Sequence, residues 1–342
     1  GSRNQKYKFL STVSNVGLLK IYKKIISEPP FYLFAFRDLD LNQEWQRFVG
    51  LTDLFIENSA GVITGKDGLT ISTSGQQLIK KIARFSLSKS EDADIYAEFG
   101  FSENKRFSLK DAQENLQKLE SLESPIREIL YRPFDKRLVF YDRSVIWSMA
   151  QPISDQMAGF DNLALLATRQ VTRPKFEHVF VATETVEIKA CSHDRNTQIF
   201  PLFIKPTAKD GNLFPHARPN ISAEMILRFS KSLGMKFHDQ QADVDLNANL
   251  SAVSLFRYVY SILHSDVYRE RYFDFLRGDF PRVPVPQNQT LFLELAAKGE
   301  DLIRLHTIDF NVLDISIPKF HGPVTTVGKV GWTDDDGGTV WL

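Results

Sequence analysis

Residues 162–204 read NLALLATRQVTRPKFEHVFVATETVEIKACSHDRNTQIFPLFI. Four apolar stretches of strand length, 162–167, 178–182, 185–190 and 198–204, are rich in β-branched and aromatic side chains, which predicts a sheet. Polar connections separate them, and Pro174 near the end of the first one discourages continuation of regular structure. Just upstream, 138–141 and 145–147 flank Asp142-Arg143, a pattern that predicts a hairpin. Helical spacing returns on the C-terminal side at 222–233, stopped by Gly234, and again over 250–276, before Pro281, Pro284 and Pro286. On the N-terminal side, residues 7–27 place Leu10, Leu18, Ile21, Tyr22, Ile25 and Ile26 at helical spacing, ended by Glu28-Pro29-Pro30. The short stretches 61–63 and 69–71, punctuated by glycines, read as strands. Ser108-Leu109-Lys110-Asp111 has the form of a capping box, opening a helix with Ala112, Leu116 and Leu119 on one face. Pro125 should end that segment. The expected class is α+β: a helical and mixed segment over 1–125, then a sheet-based domain with C-terminal helices over 126–342. Residues 239–249 read as a loop.

The chain has 342 residues, 43% hydrophobic and 25% charged, enough for two domains with real cores. Its apolar runs, such as 163–167 and 199–204, fall far short of the roughly 20 residues that span a bilayer. Gly1-Ser2-Arg3-Asn4 lacks the layout of a signal peptide and Gly1-Ser2 reads as a cloning scar, so a cytoplasmic location is expected. A single cysteine, Cys191, excludes an internal disulfide and a Cys-rich zinc site, and the seven histidines show no pair at metal-ligand spacing. With 42 basic and 42 acidic residues the chain is no polycation, so any nucleic-acid site must be local. Residues 126–220 hold 13 Lys and Arg against 10 Asp and Glu, an excess that permits such a patch.

The two longest polar connections carry the side chains that read base edges. Arginine reaches guanine through two hydrogen bonds, and Asn or Gln pairs with adenine in the same two-point way. Arg169, Gln170, Arg173 and Lys175 stand together after one apolar strand; Arg195, Asn196 and Gln198 follow another. A solvated basic loop is the plain alternative for each.

Four catalytic readings fail on spacing or identity. Glu28-Pro29-Pro30-Phe31 resembles the Pro-Pro-aromatic core of amino-methyltransferases, but its first residue is Glu and no Gly-rich cofactor loop precedes it. Residues 61–67, GVITGKD, are one spacer short of a phosphate-binding loop, and Asp67 replaces the Ser or Thr that would ligate magnesium, so a turn is the better reading. Glu187-Ile188-Lys189 could be half of a nuclease site, but its acidic partner, Asp155 or Asp161, can only be nominated by eye. Cys191-Ser192-His193-Asp194 are neighbours in sequence, whereas a catalytic set converges from a fold.

Tyr131-Arg132-Pro133-Phe134-Asp135-x-Arg137 resembles a signature of the C-terminal specificity region of Type ISP restriction-modification enzymes. These are single chains that combine nuclease, helicase, methyltransferase and recognition parts. Phe200-Pro201-Leu202-Phe203, Arg218-Pro219-Asn220, the runs 258–265 and 268–272, Phe280-Pro281-Arg282-Val283-Pro284 and residues 299–306 are similar to the same family in the same order. Upstream, 59–67 resembles the segment after the methyltransferase part. The resemblance implies that residues 126–342 recognise a specific sequence in double-stranded DNA while 1–125 adjoin the methyltransferase domain. Adenine methylation and cleavage would be performed by methyltransferase and helicase-nuclease domains outside this chain, using S-adenosylmethionine and ATP. No catalytic residue and no cofactor is assigned to the chain itself. Within the signature, Arg137 is assigned to DNA, and Arg132 and Asp135 to a structural ion pair beneath the DNA surface. The chain stops short of the family's usual end, so a fragment or a truncated gene is expected. A protein-docking scaffold is the alternative function, and a nuclease a more remote one.

Overall fold

The strand Thr197–Pro201 lies at the centre of the first sheet, bonded antiparallel to Ser59–Ala60 on one side and to Ala164–Thr168 on the other. Val179–Ala182 completes the order beyond Ala164–Thr168. All five residues of Ala164–Thr168 are buried, as expected of an inner strand whose apolar run shows no alternation. The computed structural model describes residues 3–12, 39–89, 92–100, 107–158, 161–206, 217–238, 249–307, 331–333 and 339–341.

A second four-stranded sheet runs in the order Ile71–Ser72, Asp135–Phe140, Ile126–Arg132 and Thr185–Val186, the last pair parallel. Its hairpin differs from the sequence expectation. Asp135–Phe140 pairs with Ile126–Arg132, so the chain reverses at Pro133-Phe134, where Phe134 takes a left-handed φ of 63°. Asp142-Arg143 forms a tight turn instead, with the amides of Val145 and Ile146 both donating to the Asp142 carbonyl. Phe134 is held by edge-on contacts with Phe180 and His306, at 6.0 and 5.6 Å between ring centres. These contacts come from elsewhere in the chain, which is why the local pattern missed the turn. Of the stretches expected as strands near the N-terminus, 69–71 begins as the helical turn Asp67–Thr70, and Val62 and Ile63 make only single bridges.

The helices follow the sequence more closely. Ala223–Leu233 buries Met225, Phe229 and Leu233 and ends at Gly234, whose φ of 63° is the left-handed conformation glycine adopts freely. Leu109–Gln117 begins at Ser108, whose hydroxyl accepts the Asp111 amide at 3.2 Å, and buries Ala112 and Leu116. Gly75–Leu87, unforeseen behind its leading glycine, buries Leu78, Ile82 and Phe85. The expected 250–276 helix is three: Ala252–His264, Asp266–Arg271 and Phe273–Leu276. A further helix, Gln289–Thr307, packs on the first of them with Gly299 against the Arg257 backbone.

Residue 125 lies within continuous packing. Leu69, Leu78, Phe85, Phe99 and Leu116 share a core with Phe140 and Val145, and Ile126 and Leu138 pack against it. The larger core joins Trp45, Leu51 and Phe55 to the C-terminal helices and to the outer face of the first sheet. Buried Asn220 pins three segments: its amide nitrogen donates to the carbonyls of Glu57 and Pro201, and its amide oxygen accepts the Glu57 N–H. Tyr258, Tyr260, Tyr268 and Tyr272 are core residues, as their helical spacing predicts. Residues 1–307 form one compact unit and 308–342 another, in which Gly331–Thr333 pairs with Thr339–Trp341. The Pro-Pro segment at 28–31, most of the helix expected over 7–27 and nearly all of 239–249 lie outside the described residues.

Candidate nucleic-acid interface

The two polar connections singled out in the sequence meet in space. Thr172 donates its hydroxyl to Asp194 at 2.6 Å, joining the 169–175 loop to the 192–196 loop. Asp194 also accepts the Ser192 hydroxyl at 2.7 Å, and the hydroxyls of Thr172 and then Ser192 hold its carboxyl well below the usual carboxylate range. Val171 and Phe176 are buried, whereas Arg169, Gln170, Thr172, Arg173, Pro174 and Lys175 are exposed. Burying each apolar side chain contributes about 1.5–3 kcal/mol, which offsets part of the roughly 1–2 kcal/mol per residue needed to order the loop. The polar side chains therefore project from a loop anchored at both ends.

Contacts with the C-terminal helical region hold the loop further. The Val171 amide donates to the Arg277 carbonyl at 3.3 Å, and Arg169 Nε donates to Asp279 at 2.9 Å. Arg173 lies close enough to buried His178 that its charge, after burial, lowers the imidazole's affinity for a proton. In the second loop, Asn196 is exposed and accepts Lys189 Nζ at 2.9 Å, while Arg195 is half-buried. Arg195 Nε is enclosed without a hydrogen-bond partner among the described residues. Gln198 sits within the strand Thr197–Pro201, half-buried, with its amide donating to Asn58 at 2.5 Å.

The signature residues build a separate cluster on the second sheet, and its ion pairs differ from the expected one. Arg137 grips Asp135 through Nε at 3.0 Å and Nη2 at 2.7 Å, because residues two apart on a strand share a face. Arg132 turns instead to Glu187, with Nη1 2.7 Å from Oε2. The Tyr131 ring meets both guanidiniums, at 3.9 and 4.2 Å from its centre, and its hydroxyl donates to Asp67 at 2.7 Å. Burial and the bond to Asp67 push the Tyr131 phenol up to about 12. Asp135 is thus a structural partner of Arg137 rather than of Arg132.

The same geometry settles the side chains of the catalytic look-alikes. Lys66, in the segment that looks like a phosphate loop, is buried, donates to the Val145 carbonyl at 3.2 Å and lies over the Phe107 ring. Burial lowers its ammonium to about 8. Asp67 accepts from Thr64 and Tyr131, so both side chains are tied to groups within the fold. Glu187 is engaged by Arg132 and by the Lys189 amide, and Asp155 by Arg127 and Gln151. Lys189, which holds Asn196, and Asp279, which holds Arg169 from 110 residues away, carried no signal of those roles in the sequence.

The model of the Type ISP C-terminal specificity domain matches residues 53–342. Among curated proteins none matches the sequence. Three solved structures share the fold. The cryoEM structure of a DrdV–DNA complex has a TM-score of 0.59 and 20% identity, covering 89% of this chain and 29% of that one. The Type ISP restriction-modification enzyme LlaBIII bound to DNA has 0.58 and 19%, covering 85% and 18%. A nuclease-deletion mutant of the Type ISP enzyme LlaGI with a DNA substrate mimic has 0.57 and 18%, covering 90% and 23%. The chain spans less than a third of each.

Proposed function

We propose that this chain, which belongs to the Type ISP C-terminal specificity domain family, recognises a specific sequence in double-stranded DNA through the surface made by its 169–175 and 192–196 loops. The observation that carries the reading is the Thr172–Asp194 bond, which merges two loops bearing Arg169, Gln170, Arg173, Lys175, Arg195 and Asn196 into one anchored surface. Guanidinium and amide groups held on a fixed scaffold can read base edges, and Lys175 supplies a cation for phosphate. That the solved relatives sharing the fold are described as DNA complexes supports the partner.

In this reading Gln198, bonded to Asn58, braces the base of the second loop, and Arg137, bonded to Asp135, stands on the second sheet as a further DNA contact. The chain selects the site, and adenine methylation and cleavage belong to methyltransferase and helicase-nuclease domains that use S-adenosylmethionine and ATP. A selection of duplexes from a random pool by the folded chain tests the reading. Enrichment of one sequence, relaxed at one base pair by Arg173→Ala, is expected; an unenriched pool sinks it and favours a protein-docking scaffold.

A further inference from the structure

We propose that Arg132 and Glu187 are positioning residues that set the conformation of the 192–196 loop and, through Lys189, orient Asn196 for base readout. The inference rests on the recognition role given to that loop. The parallel pairing of Leu130 with Val186 brings the ends of their two strands side by side, and the Glu187 amide donates to the Leu130 carbonyl at 3.0 Å. From there the Glu187 carboxylate, with only 6% of its side chain exposed, accepts two donors at 2.7 Å: Arg132 Nη1 and the Lys189 backbone N–H. The second bond shapes the turn that leads into the loop. That turn is closed by Ala190 N–H on the Glu187 carbonyl, Ser192 N–H on the Lys189 carbonyl and Cys191 N–H on the Thr197 hydroxyl. It delivers Lys189 Nζ to Asn196 Oδ1 at 2.9 Å.

The chemistry explains why this relay matters for readout. Lys189 occupies one lone pair of Oδ1, leaving the other, together with both Nδ2 protons, as the acceptor-donor pair that two-point contact with adenine needs. An Asn side chain free to rotate would spend its contacts on water. The buried carboxylate also requires a cation, since an unpaired charge in that position is strongly disfavoured. Arg132 supplies it while lying over Tyr131, whose hydroxyl is tied to Asp67. The signature strand is thereby coupled to a loop more than fifty residues away in sequence.

The test uses this chain and a duplex enriched from a random pool, with dissociation constants measured for that duplex and its single-base-pair variants over a range of salt. Glu187→Ala and Lys189→Ala should each lower discrimination about tenfold at the base pair that Asn196→Ala affects, with the salt dependence unchanged. Lys189→Ala should add nothing to Asn196→Ala in the double variant. Glu187→Gln, which keeps an acceptor for the Lys189 amide, should recover part of the loss. If Glu187→Ala fails to fold, Arg132→Gln, which takes the cation from Glu187, decides in its place: it should lower discrimination at the same base pair, and unchanged preference would overturn the relay. A Lys189→Ala variant that keeps its base preference but loses about one unit of salt slope would mark Lys189 as a phosphate contact and overturn the relay. Preference altered by Asn196→Ala but not by Glu187→Ala or Lys189→Ala also overturns it, while leaving the recognition surface intact. If Arg173→Ala and Asn196→Ala both leave affinity and preference unchanged, the recognition reading falls and the relay with it.

Discussion

Gly299→Ala sets two effects of opposite sign against each other. Inside the helix Gln289–Thr307, alanine should gain about 1 kcal/mol of intrinsic helix preference over glycine. The fold opposes this. A Cβ at Gly299 would lie 1.9 Å from the Arg257 carbonyl oxygen and 2.6 Å from its carbon, both backbone atoms of Ala252–His264. Restoring even a close C···O approach of roughly 3.3 Å requires the helices to part by about 1.4 Å. No side chain can swing away to absorb that, so the movement must loosen the packing of Phe292, Ala296 and Ile303 and stretch the Arg257–Glu300 pair, now at 3.2 Å. Overpacking that flexible side chains can absorb costs about 1–3 kcal/mol. A Cβ pressed against rigid backbone belongs at or above the top of that range, so the net loss should be about 2 kcal/mol or more after the helix gain. Urea unfolding followed by tryptophan fluorescence measures it, with Lys298→Ala, one residue earlier and exposed, as a control expected to stay within about 0.5 kcal/mol. A Gly299→Ala chain as stable as the parent, or more so, would refute the close approach of the two helices.

Asn220→Ala should destabilise by about 2–4 kcal/mol in the same assay, because it strands the Glu57 amide and two carbonyls inside the protein. Lys66→Met tests a buried charge by pH. The folded protein releases the Lys66 proton at about 8, below the unfolded value of 10.5, so stability should rise between those two pH values by up to about 3 kcal/mol. The variant should be more stable than the parent at pH 7 and should lack that part of the rise; equal pH profiles would discount the effect. On DNA, Arg173→Ala should cost about 1–3 kcal/mol and relax one base pair, whereas Lys175→Ala should weaken all sequences alike and reduce the salt slope by about one unit. Equilibrium titrations on matched and mismatched duplexes separate the two, and unchanged binding by both variants would mark the loop as merely solvated. The isolated chain given S-adenosylmethionine and duplex DNA should transfer no methyl group; incorporation of labelled methyl by purified chain would contradict this.

Local physics made several features legible from sequence alone. The helix at 223–233 could be read because its apolar spacing and its stopping glycine act within a few turns, and Gly234 does take the left-handed conformation. The polar connections at 169–175 and 193–196 could be read because exposed segments need no distant partner to stay polar, but 197–198 belong to the next strand and the strand expected over 185–190 is only Thr185–Val186. The signature at 131–137 pointed to the family for the same reason: side chains in a short motif are visible together. Tertiary structure decided what those residues bond to. Asp142-Arg143 looked like the hairpin turn, but Phe134 takes that place in a backbone conformation that Phe rarely adopts, braced by Phe180 and His306. Arg132 looked like the partner of Asp135, and the ladder does set the two opposite each other, yet Asp135 binds Arg137, two residues along its own strand and on the same face, instead. The parallel ladder then brought Glu187 to Arg132, and the Thr172–Asp194 bond brought two loops together across more than twenty residues. Periodicity reports which face of an element is apolar; the register between strands, set by the whole core, chooses which polar groups on those faces meet.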